Sequence, residues 1–263
     1  MSLYWKRTRC TLILLMLMWL LPSTAMAAHP LITDDTGTQG LGKFLLEFNT
    51  EFGWDKETQE EVTTRSKEGE MQALLSVGAL ETVDLIFGIP YLWSRIKENG
   101  ELTFDEKGLS DFSMEIKWRF WETEGFSFAL KPGVTFPTGK EDKGLGTGKV
   151  TGSMFFITTA EVDPWAFHLN AGYMKNKNKL DEREDMWHLS LAAEVEVVKD
   201  LKLMGNIGAE RNPDWVSTRH PAFILGGVIY SLTENLDIDF GVKAGLNDAE
   251  TDYAVLAGVA IRF

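Results

Sequence analysis

From residue 43 onward, apolar and polar side chains alternate with a period of two, the spacing of a strand whose two faces meet different surroundings. Within 43–54, Phe44, Leu46, Phe48, Phe52 and Trp54 share one face, and Glu47, Asn49 and Glu51 share the other. Within 109–121 the same division sets Phe112, Met114, Ile116, Trp118 and Phe120 against Ser113, Glu115, Lys117 and Arg119. The last stretch places Tyr253, Val255, Ala257, Val259, Ile261 and Phe263 on one side and Ala254, Gly258, Ala260 and Arg262 on the other. Similar segments fall at 71–80, 84–93, 126–138, 150–161, 165–175, 186–197, 201–210, 221–232 and 236–247, about twelve strands in all.

The links between them alternate in length. Those at 81–83, 123–125, 162–164, 198–200 and 233–235 are short, whereas 55–69, 94–108, 139–149, 176–185, 211–220 and 248–252 are longer and polar or charged. An even number of strands, each near the roughly 9–11 residues that cross a bilayer at a tilt, puts both termini at the short-turn end. Residues 28–42 (AHPLITDDTGTQGLG) have no sustained period and read as an extended arm, either periplasmic or tucked into the lumen as a partial plug. The predicted fold is therefore all-β, a transmembrane antiparallel up-and-down β-barrel over 43–263.

A soluble β-sandwich can alternate in the same way, so the case for a membrane rests on other features. Lys6, Arg7 and Arg9 precede an uncharged apolar run at 12–21, then Pro22, Ser23 and an Ala25-Met26-Ala27 step. This is the pattern of a signal peptide, 1–27, that directs export through the Sec pathway and is removed before Ala28. Cys10 precedes the apolar run, which argues against a lipid anchor, and beyond it the chain has no cysteine for a disulfide, a thiolate metal site or a nucleophile. After the leader the longest uncharged stretch is 221–233, interrupted by Gly226 and Gly227, so no helix can span a bilayer and a closed barrel is the alternative. Trp54, Tyr91, Trp93, Trp118, Trp121, Trp165, Tyr173, Trp187, Tyr230 and Tyr253 lie near predicted strand ends, where two aromatic belts would meet the headgroups of outer-membrane lipid.

Beyond residue 27 there are 23 basic and 39 acidic residues, a net charge of −16 that argues against nucleic acid as a partner. With the apolar faces toward lipid, the lumen is lined by Glu47, Asn49, Glu51, Glu115, Lys117, Arg119, Lys131, His168, Asn170, His188, Glu194, Glu196, Lys202, Glu210, Asp237, Asp239, Lys243 and Arg262. Such a mixture makes either a narrow polar path or a network of paired charges that fills and stiffens the interior. The acidic excess would give an open pore a mild cation preference.

His168 and His188 fall on the inner face of neighbouring strands, but two histidines without a third close ligand do not make a metal site. Ser190 shares a face with His188, the minimum a barrel hydrolase would need, at a spacing that any alternating strand produces. GLGTG at 144–148 has neither a Gly-Lys-Ser/Thr at the spacing of a phosphate loop nor a following helix, and reads as surface loop. No catalytic residue, metal or cofactor is expected.

The segment HPLITDDTGTQGLGKFLLEFNTEF from residue 29, GIPY at 88–91, GKEDKGLGTG at 139–148 and the terminal strand together resemble the outer-membrane barrels grouped under the meta-pathway of phenol degradation. The resemblance covers nearly all of the chain after the leader. It implies a Gram-negative outer-membrane, porin-like or transporter-like barrel that passes small apolar or aromatic compounds, with no catalytic residues to carry over. The final strand, closed by Phe263, also resembles the C-terminal signal by which the barrel-assembly machinery recognises its substrates. Two other readings stand beside this one: a closed structural barrel whose charged loops, such as 55–69, bind something outside, and, third, a barrel hydrolase.

Overall fold

The computed structural model describes residues 29–59 and 61–263; the leader read at 1–27 lies outside the described residues. The strands are β1 (Phe44–Gln59), β2 (Val62–Leu80), β3 (Val83–Glu98), β4 (Glu101–Leu109), β5 (Phe112–Thr123), β6 (Phe126–Phe136), β7 (Thr151–Val162), β8 (Trp165–Lys175), β9 (Asp185–Val198), β10 (Leu201–Glu210), β11 (Ala222–Thr233), β12 (Leu236–Gly245) and β13 (Tyr253–Arg262). The one helical turn among the described residues is a 3-10 turn, Glu141–Lys143.

All pairings are antiparallel between neighbours, and β13 returns to β1, with Leu45 opposite Arg262 and Trp54 opposite Tyr253. The seam is completed by Phe44 N donating to Phe263 O at 2.8 Å and Phe263 N donating to Phe44 O at 3.0 Å, with the two rings stacked 5.5 Å apart. The barrel is thus closed, and no strand edge is left in the apolar zone. β3 pairs with β5 over Val83–Gly88 and with β4 over Tyr91–Glu98, so β4 and β5 form one stave and the wall has twelve positions.

Alternation then sorts the side chains. Phe156, Leu169, Leu191, Ile207, Ile224 and Phe240 stand on the outside, 37–49% exposed, part of an apolar band that would be costly in water and is not in hydrocarbon. The ten tryptophans and tyrosines flanking this band also face outward. Trp54, Tyr91, Trp93, Tyr173, Trp187 and Tyr253 lie toward the long-loop end, and Trp118, Trp121, Trp165 and Tyr230 toward the short turns. A register shift between Arg119 and Trp121 moves Trp121 to the outer face, where its ring meets Phe128 at 5.1 Å.

Two stretches read as loops are paired strand. Residues 55–69 form the far part of the β1–β2 hairpin, paired out to Gln59 opposite Val62, and 94–108 form the β3–β4 hairpin, paired out to Glu98 opposite Glu101. The physical reason is solvation: beyond the bilayer both faces of a hairpin meet water, so charged residues on both sides erase the alternation while the backbone ladder persists. The 19 residues of β2 would extend about 60 Å, at about 3.3 Å per residue, well past an apolar band about 25 Å tall. The single strand read at 109–121 is broken at Ser110 and Asp111. Asp111 is buried there and holds the loop after β6, accepting from Gly139 N at 2.9 Å and from Thr147 N and Oγ1 at 2.8 and 2.9 Å. A Cβ on Gly146 would lie 2.3 Å from the Asp111 carboxylate, so this contact requires glycine.

Candidate functional site

The interior is organised by residues 29–42, which run along the inner wall from the short-turn end. Gly42 N donates to Gly78 O at 2.8 Å, and Gln39 N donates to both oxygens of Asp84 at 3.1 and 3.0 Å. Thr36 N donates to Thr159 Oγ1 at 3.1 Å, and its hydroxyl meets that of Ser127. Asp34 stands between two lysines, 2.7 Å from Lys117 Nζ and 2.9 Å from Lys131 Nζ. Asn206 Oδ1 then accepts from the amides of Ile32 and Thr33 at 2.8 and 3.1 Å, while its amide donates to Thr33 Oγ1 at 2.7 Å. At the far end His29 Nδ1 lies 2.6 Å from Asp239 Oδ1.

Shape fixes the path as firmly as charge. A Cβ on Gly227 would come 2.7 Å from Pro30, one on Gly241 2.9 Å from it, and one on Gly258 2.5 Å from His29, so three inward glycines make the seat for this dipeptide. Leu31 packs into a buried cluster with Met204, Phe223, Leu225, Ile229 and Leu256. This apolar half of the lumen is absent from the charged lining expected of it.

The remaining inward charges are mostly paired. Glu51 meets Lys243 at 2.7 Å, and the same lysine meets Glu250 at 3.2 Å. Glu194 meets Lys202 at 2.6 Å, Asp237 meets Arg262 at 2.6 Å, Glu115 lies 3.7 Å from Lys131, and Arg119 pairs with Glu122 at 3.3 Å. Glu47 and Asn49 are on the inner wall of β1 as well. Glu196 is a correction: it is exposed at the short-turn rim, where its carboxylate accepts from the Asp200 amide at 3.2 Å, because the β9–β10 turn needs an acceptor there.

The two histidines do not converge. His168 Nδ1 bonds to Thr159 Oγ1 at 2.9 Å, whereas His188 Nε2 lies 3.0 Å from Ser190 Oγ and its Nδ1 3.5 Å from Glu210. Ser190 is 3% exposed and is not among the residues that line the lumen cavity. Among the described residues no group of three or more His, Cys, Asp or Glu could hold a metal ion.

The half of the lumen left open is a cavity of about 760 Å³ on the β1–β3 side. Residues of the arm form its floor, among them Leu31, Asp34 and Gln39. Glu47, Glu51, Glu68 and Glu70 give it one acidic wall, while Leu92, Ile96 and Phe104 continue it as an apolar strip toward the long-loop end. Leu145 and Lys143, from the loop held by Asp111, reach in from the mouth, where Lys143 meets Glu106 at 2.9 Å. Outside the membrane a second clasp joins this loop to the next, Lys179 Nζ to Glu141; that hydrogen bond holds the Glu141 carboxyl below its ordinary range. Lys117, Lys131 and Asp239 were read as lumen-lining, but their pairing with the arm, the arm's other partners Asp84, Ser127, Thr159 and Asn206, the glycine seat and the Glu68, Glu70 and Glu106 carboxylates escaped the sequence reading; Asp34-Asp35 in a segment without period was the available signal for a charged contact.

Among solved structures, a crystallised outer membrane channel from Pseudomonas putida F1 is similar at a TM-score of 0.68 and 12% identity, over 87% of this chain and 98% of that one. The KdgM porin is similar at 0.53 and 9%, over 83% and 99%, and the NanC porin at 0.51 and 8%, over 82% and 98%. At such identities the likeness establishes the fold, that of outer-membrane barrels. A comparison with curated protein sequences finds no match. The sequence profile of one family, described as "Putative MetA-pathway of phenol degradation", matches residues 32–263, from near the start of the arm through the closing strand, and the chain belongs to that family.

Proposed function

We propose that this barrel is a passive outer-membrane channel for small apolar or aromatic compounds, with the arm at 29–42 acting as a partial plug that sets its constriction. The observation that carries the reading is the cavity of about 760 Å³, which takes a molecule of one or two rings and ends on the arm. An arm held by ion pairs, hydrogen bonds and the Leu31 contact, instead of being a strand of the sheet, can shift without opening the wall. The family's association with phenol degradation supports an aromatic solute, and the apolar strip of Leu92, Ile96 and Phe104 supports one with an apolar body. Export through the Sec pathway and delivery by the assembly machinery complete the proposal, read from the leader and the terminal strand.

Liposomes carrying the refolded protein test it. A neutral phenol-sized solute should equilibrate faster than across protein-free vesicles, and faster again when residues 29–41 are removed. Equal rates in all three would leave the closed structural barrel as the better reading. The hydrolase reading is favoured by one observation, the His188–Ser190 hydrogen bond, and opposed by the burial of that serine. No lipid hydrolysis is expected from the parent protein, and hydrolysis lost on Ser190→Ala would overturn this.

A further inference from the structure

The acidic wall of the cavity contains a carboxylate whose situation the channel reading does not explain. Glu47 is 8% exposed and lines the cavity, yet it has neither a hydrogen bond nor an ion pair within 4.0 Å among the described residues. The lysines that line the cavity are committed elsewhere, Lys117 to Asp34, Lys131 to Asp34 and Glu115, and Lys143 to Glu106. Asp84 is satisfied by the Gln39 amide, and Glu51 by Lys243. Directly across the β1–β2 ladder from Glu51 stands Glu70, a second cavity carboxylate without a hydrogen bond or ion pair. Like charges in directly opposed strand positions repel, and a buried carboxylate without a partner is costly, so both positions favour a cation.

We propose that the cavity binds a small organic cation, a protonated amine on an apolar body, with Glu47 as its counter-charge and the Glu51–Glu70 pair drawing it in at the mouth. The inference rests on the reading of the lumen as a place that solutes enter, and it specifies their class. A bare metal ion fits poorly: Glu47 lies four residues from Glu51 along β1, about 13 Å at about 3.3 Å per residue, so one ion cannot join the two positions. An ammonium group instead needs one buried acceptor and an apolar surface for its body. Leu74 stands directly opposite Glu47 on β2, and Leu45, Ile86 and Leu256 also line the wall. Eight carboxylates against three lysines around the cavity add a field of the right sign.

Calorimetric titration of the detergent-solubilised barrel with benzylamine, against benzyl alcohol as its neutral counterpart and benzoate as its anionic one, tests the site. Benzylamine should bind at least tenfold more tightly than benzyl alcohol at pH 7, with benzoate weaker than both. Glu47→Gln should bring the amine down to the affinity of the alcohol. Glu70→Gln, at the mouth and safer for folding, should weaken the amine severalfold and leave the alcohol unchanged. Equal affinity for amine and alcohol, or an amine preference that survives both substitutions in a folded barrel, overturns the proposal. Conductance of the same preparation separates the two claims: binding without conduction removes the channel reading alone, and conduction without amine preference removes this one alone.

Discussion

Replacing Asp34 by Asn removes the one charge that lies between Lys117 and Lys131 and changes little in shape. The parent carboxylate makes contacts of 2.7 and 2.9 Å, each a charge-assisted bond of about 1.5–3 kcal/mol. Stripping a buried charge of its partner costs about 3–5 kcal/mol in general. Here Lys117 keeps Asp35 at 3.7 Å and Lys131 keeps Glu115 at 3.7 Å, so the lower end, about 3 kcal/mol, is the expected loss. The Asn206 fork remains. A loss of about 3 kcal/mol raises the ratio of undocked to docked arm by roughly 150-fold. The assay is thiol labelling: beyond Cys10 the chain has no cysteine, so Leu31→Cys gives a single buried reporter. Its labelling rate should rise by about two decades in the Asp34→Asn background. Equal labelling in the two backgrounds, with both barrels folded by heat-modifiability, would refute the claim that the Asp34 ion pairs hold the arm.

Gly241→Ala should loosen the arm from its other end, since the added Cβ would lie 2.9 Å from Pro30; increased protease cleavage at the arm with an intact barrel is the expected result. Phe263→Ala should lose a stacked pair worth about 0.5–1.5 kcal/mol and slow closure of the seam, read as a lower rate of refolding into detergent. Asp111→Ala should free the 139–148 loop, which depends on three hydrogen bonds to that carboxylate, and faster labelling of a cysteine placed at Leu145 would register it. The Lys179–Glu141 clasp has a definite pH sign. Because the folded Glu141 carboxyl is held below its ordinary range, the clasp is fully present above the unfolded glutamate value, about 4.3, and is lost as the pH falls through the folded one. Loop mobility by spin label should therefore be flat from neutral pH down to that range and rise below it.

The barrel was legible because lipid imposes a strong demand: apart from Thr50, the outward residues of β1 up to Trp54, of β5 up to Trp121 and of β13 are apolar or aromatic, and their alternation with Glu47, Lys117 or Arg262 marks the inner face without reference to any partner. Where lipid stops, so does the signal, and the hairpins beyond Trp54 and Trp93 looked like loops. β11 failed in the opposite way. Phe223, Leu225 and Ile229 point inward and Ile224 and Tyr230 outward, so both faces are apolar and periodicity cannot say that the inner one packs on Leu31. The arm was visible as a segment apart, but Asp34 lies 83 positions from Lys117 and 97 from Lys131, and no local pattern links residues that far apart. Glu196 shares its parity with Glu194, and even with the turn read at 198–200, alternation alone does not say that a side chain so close to it is exposed at the rim.

The central claim, a solute path constricted by the arm, is tested most directly by single-channel conductance of the refolded protein in a planar bilayer, beside a variant lacking residues 29–41. The account predicts discrete steps from the parent that dissolved phenol modulates, and larger, longer steps from the variant. Silence from both, in barrels that remain folded and heat-modifiable, would contradict it.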